Sequence, residues 1–308
     1  MRKRIITIII CLVLCGATYY KLDPITNTII KYFNNTPTIK VNNKNKYSKN
    51  QSYKFVSITN DFTPYNFQDL LNIFYTILDA GYDTFTFYCP TEYEDCIKDV
   101  ERISNKDNVE LLTTLGNYVS PFNNFTSLKV QYDTAGEVTV NITKLYSEQD
   151  ILNIQTEIER IWKTIVTKDM TNEDIIYAFH DFIINNTKYD EAYEEELKHG
   201  KTTHQASKAN GPLFEGYAIC SGYTDVMSLL LDRLNIINYK VASDSHVWNA
   251  VYLNDKWVHL DLTWDDPVSI DHSQDNLLHK FFLIDTPTLE SFDIKDHTFN
   301  KSVYLELK

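Results

Sequence analysis

The sequence has few glycine, proline and methionine residues and is short of positive charge. Among 308 residues there are 8 Gly, 8 Pro and 3 Met, and 29 Lys and Arg stand against 42 Asp and Glu, a formal charge of -13. The low glycine and proline content excludes a collagen-like chain, and a hydrophobic share of 43% predicts a packed globular protein. The acidic balance argues against nucleic acid as a partner, because phosphate binding needs clustered Lys and Arg.

Cysteine is also scarce. The five cysteines are too few for a disulfide scaffold, and no C-x-x-C pair indicates a zinc knuckle or a redox motif. There is no internal repeat and no phosphate-binding glycine motif, and we expect neither a cofactor nor a metal. Cys89 and Cys96 could pair if the protein is exported, and two reduced buried thiols are the alternative.

The N-terminus has the pattern of an export signal. Met1 to Arg4 is basic, and the apolar run from Ile5 to Ala17 is shorter than the about 20 residues of a spanning helix. Residues 1–20 are therefore predicted to be a signal peptide or a short membrane anchor, with lipidation of Cys15 as a less favoured alternative. We expect a secreted or membrane-anchored protein, and residues 21–52, rich in Asn, Lys and Thr, are predicted to be a flexible linker.

Residues 53–165 alternate between strand and helix patterns, which predicts a small α+β domain without a catalytic constellation. Its role is not indicated by the sequence. The predicted elements are a strand at Lys54–Thr59, a helix at Asn66–Ala80, a strand at Asp83–Tyr88, a helix at Glu92–Ile103, a hairpin of Ser127–Asp133 with Glu137–Thr143, and a helix at Ser147–Val166.

Cys220 is predicted to lie at a helix N-terminus. Apolar residues follow it at helical spacing, and the free N–H groups of a helix start stabilise a thiolate. Taken alone, a single Cys is more often a small buried hydrophobe. The apolar positions are Tyr223, Val226, Met227, Leu230, Leu231 and Leu234.

Two further strands are predicted, Tyr239–Leu253 and Lys256–Trp264, joined by a two-residue type I′ turn at Asn254-Asp255. This register makes His246 and Asp261 diagonal neighbours on one face, about 7 to 8 Å apart, within reach of a hydrogen bond. A three-residue loop would send them to opposite faces.

The alternation along this hairpin separates two faces. The Cys-bearing helix is available to cover the polar face, where a thiolate, an imidazole and a carboxylate could act as nucleophile, base and orienting group. The expected core face has Val247, Val251, Leu253, Val258, Leu260 and Leu262, and the polar face has His246, Trp248, Tyr252, Trp257, His259 and Asp261. A less favoured alternative is a metal site formed by His246, His259, Asp261, Asp265 and Asp266. His272 and His297 are expected at the surface.

These motifs resemble the transglutaminase-like superfamily, particularly its exported bacterial members. The resemblance implies that residues 166–308 form a catalytic domain with a papain-like α+β core, in which the Cys-bearing helix packs on an antiparallel sheet. It also implies Cys220 as nucleophile, His246 as base and Asp261 as orienting acid. The matching segments are His180-Asp181, Lys188 to Asp190, Gly216 to Tyr223, His246 to Asn249, Trp257 to Pro267 and Phe281 to Ile284.

The resemblance leaves the reaction outcome open. The superfamily includes cysteine peptidases, amidases, protein cross-linking acyltransferases and inactive members. We expect an enzyme that cleaves or transfers amide-linked acyl groups of proteins or cell-wall peptides, with hydrolysis slightly favoured. The alternative is an inactive surface binding module.

Overall fold

The computed structural model describes residues 44–105, 110–267 and 278–308. The protein is α+β, as predicted: helices combine with antiparallel sheets in both halves of the chain. The predicted leader, most of the predicted linker, and His272 lie outside the described residues. None of the helices in these described ranges combines the length and the hydrophobicity that a membrane-spanning helix needs.

The first half contains a three-stranded antiparallel sheet in the order β1-β3-β2, together with four α-helices in its described residues. Asn66 caps the first helix, and Gly81 ends it with φ 77°, a left-handed conformation that glycine adopts without steric cost. The elements are α1 (Phe67–Ala80), β1 (Thr84–Tyr88), α2 (Cys96–Ser104), α3 (Glu110–Asn117), β2 (Phe125–Tyr132), β3 (Glu137–Lys144) and α4 (Glu148–Ile165).

Two predictions for this half are corrected, and one helix was not predicted. The segment Lys54–Thr59 is not a strand, because side chains of α1 take its backbone N–H groups: Ser57 N donates to Asn72 Oδ1 and Thr59 N to Thr76 Oγ1. Helix α2 begins at Cys96 rather than Glu92, and helix α3 was not predicted.

Cys89, which follows β1, forms a disulfide with Cys96 at the start of α2. The two Cα atoms are 5.7 Å apart, within the usual range for this bond. Of the two states that the sequence left open, the structure contains the paired one.

The end of the predicted linker is packed against the body of the protein. The backbone N–H groups of Lys49 and Asn50 donate to the carboxylate of Asp79, at 2.9 and 3.0 Å, and Lys49 Nζ donates to the Asn238 carbonyl at 3.0 Å. These bonds compensate for the burial of Asp79, so this part of the chain is fixed by polar contacts despite its linker-like composition.

The second half contains the antiparallel sheet β6-β7-β8 and a short parallel pair, β4-β5. A capping box at Thr171 starts helix α5. The elements are α5 (Asn172–Asn186), β4 (Lys188–Tyr189), α6 (Tyr193–Lys198), β5 (Tyr217–Ala218), α7 (Cys220–Arg233), β6 (Asn238–Ala242), β7 (Val247–Leu253), β8 (Lys256–Leu260), α8 (Leu262–Asp265) and α9 (Thr286–Ser291).

The predicted hairpin register is confirmed. Leu253 pairs with Lys256, and the pairing continues to Asn249 with Leu260. Asn254 and Asp255 have φ values of 53° and 60°, the left-handed conformations that a type I′ turn requires.

The strand ends differ from the prediction. Residues 239–253 form two strands, because the Ser243 N–H bonds the His246 carbonyl at 2.9 Å and turns the chain between β6 and β7. Strand β8 ends at Leu260, four residues before the predicted end at Trp264.

Both faces of this sheet are buried. The face with Val251, Val258 and Leu260 packs against α7, as expected for the core side. The face predicted to be polar and covered by α7 packs instead against the first half and the C-terminal segment: Trp248 lies in one cluster with Tyr53, Tyr118 and Phe299.

Candidate active site

Cys220 is the first residue of α7 and is the one free cysteine among the described residues. It is half-buried, and the N-cap residue Ile219 offers no side-chain acceptor to the first-turn N–H groups. A Cβ at Gly222 would lie 2.2 Å from the Ala206 carbonyl oxygen, which itself accepts from Ile219 N at 2.9 Å. The small residue therefore permits the close approach that holds the helix start in place.

Two hydrogen-bonding side chains fix α7 to the strand that begins after His246. The Thr224 hydroxyl lies 2.7 Å from the Cys220 carbonyl and 3.0 Å from the Val247 carbonyl, and so bridges the helix start and the strand start. Asn249 Nδ2 donates to the Thr224 carbonyl at 3.1 Å. These bonds place Cys220 beside His246, where its side chain raises the pKa of the imidazole ring.

Asp261 holds the other side of the His246 ring. Its Oδ2 accepts from His246 Nε2 at 2.6 Å, while Oδ1 accepts from the backbone N–H groups of Thr263 and Trp264 at 3.0 and 3.3 Å. Asp261 is thus the N-cap of α8 rather than a strand residue, and the cap fixes the carboxylate. Because Nε2 is bound to Asp261, Nδ1 is the ring nitrogen of His246 that remains available to Cys220.

His246 and Asp261 each shift the pKa of the other towards the charged form. Burial lowers the pKa of His246, but the Asp261 carboxylate and the contact with Cys220 outweigh it and raise the pKa to about 10. Burial raises the pKa of Asp261, yet His246 and then His297 hold it well below its ordinary value. An imidazolium beside a carboxylate is therefore the stable pair at neutral pH.

His297 is a second partner of Asp261 that the sequence did not reveal. It was expected at the surface, but it is 5% exposed, and its Nε2 donates to Asp261 Oδ2 at 2.8 Å. Its ring stacks on Phe281, with ring centres 4.9 Å apart. We refer to His246, Asp261 and His297 as the triad cluster.

His259 does not belong to this cluster. Its Nδ1 accepts from the Trp248 indole N–H at 2.9 Å, and its Nε2 lies 3.0 Å from the Thr286 hydroxyl. Burial and the charge of His297 lower the pKa of His259 to about 3, so the ring is neutral at pH 7. It is a core residue that joins β8 to α9.

The alternative metal site predicted from five residues is not assembled. Asp265 lies 3.1 Å from His180 Nε2, and Asp266 accepts from the Tyr223 hydroxyl. Together with the position of His259, these contacts separate the proposed ligands. Among the described residues, the groups of three with ligand atoms within 4.8 Å of one another are His246, Asp261 and His297, and His180, Asp181 and His279.

Comparison with known proteins is consistent with this geometry. Residues 159–262, which include the three predicted site residues, match the model of the family described as "Transglutaminase-like superfamily". The match begins within α4, ahead of the predicted domain boundary at residue 166. This agrees with the packing of α4 against α5 and α7 in one hydrophobic cluster. No curated protein matches the chain.

Solved structures show weaker similarity. One is the crystal structure of a TGase, 14% identical, with a TM-score of 0.36 over 58% of this chain and 53% of that chain. Another is a candidate cysteine protease from Cytophaga hutchinsonii, 12% identical, with a TM-score of 0.27 over 44% of this chain and 61% of that chain. The chain thus spans only part of the length of each structure.

Proposed function

Because residues 159–262 belong to the transglutaminase-like superfamily, as the sequence predicted, we propose that the protein is a cysteine enzyme acting on amide-linked acyl groups. In this proposal Cys220 is the nucleophile, His246 the general acid and base, and Asp261 the group that orients and charges the imidazole. The observation that carries the proposal is the line of contacts from the Cys220 thiol through the His246 ring to Asp261, with 2.6 Å between Nε2 and Oδ2.

Acylation begins when the Cys220 thiolate attacks the carbonyl carbon of the amide. The new C–S bond moves the carbonyl electron pair onto oxygen, where the N–H of Cys220 at the uncapped start of α7 can donate a hydrogen bond. When the C–N bond breaks, the proton on His246 Nδ1 passes to the leaving nitrogen. An amine departs, and a thioester and a neutral imidazole remain.

Deacylation reverses these roles. His246 Nδ1 takes a proton from water or from an incoming amine, whose oxygen or nitrogen attacks the thioester carbon while the C–S bond breaks. The products are an acid or a new amide, and the thiolate–imidazolium pair is restored. We propose hydrolysis as the main outcome and proteins or cell-wall peptides as the substrate class.

We also propose that the enzyme acts outside the cytoplasm. The basic start and apolar run of residues 1–20 support export. The disulfide between Cys89 and Cys96 supports it independently, because such bonds persist mainly in oxidising compartments.

The proposal is tested by thiol labelling followed by turnover. Labelled iodoacetamide at pH 7 should modify Cys220 of the folded protein within minutes, faster than the same thiol in urea-unfolded protein, with the site located by mass spectrometry. The protein should then release acid products from a peptide-amide library, and a labelled primary amine should be incorporated to a smaller extent.

Two results would change this assignment. A native Cys220 that reacts no faster than in the unfolded chain, with no product from the library, would favour an inactive binding module. Amine incorporation that exceeds acid release would assign the protein as an acyltransferase instead of a hydrolase. The Cys220→Ala variant is the blank for both measurements.

A further inference from the structure

A second group of histidine and carboxylate side chains lies where α5 meets the segment after residue 277. His180 Nδ1 is 3.2 Å from Asp181 Oδ1, and His279 Nε2 is 2.7 Å from the same oxygen. His180 Nε2 is 3.1 Å from Asp265 Oδ2. We refer to these four residues as the outer cluster. None of them is among the proposed catalytic residues Cys220, His246 and Asp261.

The outer cluster contains more acceptors than a neutral histidine can satisfy. Both ring nitrogens of His180 face carboxylate oxygens, and a neutral imidazole has one N–H to donate. If Nε2–H donates to the fully buried Asp265, then Nδ1 presents a lone pair towards Asp181. For Nδ1 of His180 to be attracted to the Asp181 carboxylate, it must either carry a second proton or bind a metal cation.

Asp265 has the position of a carboxylate that accepts a hydrogen bond from the second ring nitrogen of a metal-bound histidine. Histidines that bind zinc usually donate their other ring N–H to a carboxylate, which fixes the ring and increases its basicity. Asp265 Oδ1 is itself held by the Phe281 N–H at 2.9 Å, so the carboxylate that orients His180 is also oriented.

The remaining ligand groups are open to solvent and fixed in direction. The side chains of Asp181 and His279 are 31% and 32% exposed, which gives an ion a path to the site. The His279 ring stacks on Tyr177, with ring centres 4.6 Å apart and planes 9° apart. Tetrahedral zinc bonds of about 2.0–2.2 Å place ligand atoms about 3.3–3.5 Å apart, so a small outward shift of His279 from Asp181 accommodates the ion.

We infer that His180, Asp181 and His279 bind a zinc ion, with water in the fourth position and Asp265 supporting His180. Two imidazoles and one carboxylate favour zinc over magnesium or calcium, which prefer oxygen ligands. The ion ties α5 to the segment containing Phe281, whose carbonyl accepts from Asp261 N at 3.1 Å. It thus stabilises one wall of the site that contains Cys220, His246 and Asp261, and the sequence, from which no metal was expected, did not reveal it.

The test is isothermal titration of chelator-treated, full-length protein with ZnCl2. We expect one equivalent to bind with micromolar or tighter affinity, a rise in Tm on binding, and neither effect with MgCl2 or CaCl2. Replacement of the ion by Co²⁺ should give the visible absorption of a tetrahedral site. The His279→Gln and Asp181→Asn variants should each lose at least tenfold in affinity, and both positions are exposed enough for the variants to fold.

His204→Gln is the matched control. His204 is 29% exposed, lies 3.0 Å from Asp190 and stacks on Tyr217, but it has no third ligand group beside it among the described residues. Its substitution should leave zinc affinity unchanged. Absence of zinc binding, or binding that survives His279→Gln and is lost in His297→Gln, would overturn the inference, the latter because it would place the ion at the triad cluster.

Discussion

The protein contains two clusters built from the same residue types, and they differ in the ratio of carboxylates to histidines. In the triad cluster two histidines share one carboxylate, Asp261, and all three residues are less than a tenth exposed. In the outer cluster two histidines meet two carboxylates, and one edge is open to solvent. The number of carboxylates per histidine and the exposure to solvent, rather than the residue types, therefore determine what each cluster can do.

In the triad cluster both carboxylate oxygens of Asp261 have identified donors. Asp261 receives two imidazole and two backbone N–H groups, so the proton on His246 Nε2 has a fixed place and the second ring nitrogen is left for Cys220. Such an arrangement is suited to moving one proton. The outer cluster has acceptors in excess, which suits a cation, and Phe281 connects the two by its backbone, donating to Asp265 and accepting from Asp261.

The largest expected effect is that of removing the nucleophile. Cys220→Ala should lower the rate of amide cleavage by about 10⁴-fold or more, as loss of a covalent nucleophile does elsewhere. Zinc affinity at the outer cluster should not change. Product release assays and zinc titration on the same preparation measure both, and residual cleavage within tenfold of wild type would show that another group acts.

Asp261→Asn should lower kcat by about 10³ to 10⁴-fold, because an amide can donate to His246 and stabilise the wrong tautomer. Asparagine still accepts from the Thr263 and Trp264 N–H groups, so the helix cap and the circular dichroism spectrum should be retained. The matched change Asp181→Asn, in the outer cluster, should reduce kcat less than threefold. Equal losses in the two variants would contradict the separation of roles.

Asp265→Asn should weaken zinc binding about 10 to 100-fold, the usual cost of losing an outer-sphere carboxylate. The amide oxygen of the introduced asparagine can still accept from the Phe281 N–H, so kcat should fall less than tenfold. Titration with ZnCl2 and steady-state kinetics measure the two effects. A large loss of kcat with unchanged zinc affinity would reverse the assignment of Asp265 to the outer cluster.

His297 is a positioning residue, so its effect should be smaller. His297→Phe keeps the stacking on Phe281 but removes a hydrogen bond to a charged group, and kcat should fall about tenfold with unchanged KM. His297→Gln provides an amide donor and should recover part of the loss. If kcat of the His297→Gln variant is no higher than kcat of the His297→Phe variant, then His297 does not act through its hydrogen bond to Asp261.

The raised pKa of His246 should appear in the pH dependence of stability. The folded state holds a proton that the unfolded state releases above about pH 6.5, so the contribution is fully present below that pH and is lost as the pH rises towards 10. The excess unfolding free energy of wild type over His246→Gln should therefore decrease between pH 6.5 and 10. Urea unfolding at several pH values measures it, and an excess that grows with pH would contradict the ion pair.

Local sequence patterns correctly predicted the features that depend on residues close to one another in the chain. The Asn254-Asp255 turn fixes the register of β7 and β8 by itself, and this register brings His246 near Asp261. Spacing of apolar residues placed Cys220 at a helix start for the same reason.

Features that depend on distant contacts were missed. His297 is 36 residues from Asp261 and lies in a short polar turn, so no periodicity marks it as buried. The Lys54–Thr59 segment has strand-like composition, but side chains of α1 accept hydrogen bonds from its Ser57 and Thr59 N–H groups, which strand propensity does not describe. Likewise, alternation along β7 could not show that the first half of the chain covers the face of Trp248.

Because both faces of the β6-β7-β8 sheet are buried, the protein cannot simply be divided into two separately folding parts. Tyr239, Trp248 and Ala250 lie in the same hydrophobic cluster as Tyr53 and Tyr118 of the first half. A fragment starting at residue 166 would expose this aromatic surface to water and would be prone to aggregation. The family-like segment is therefore not a portable module in this protein, and an exchange of the first half between relatives would require compensating changes on the sheet.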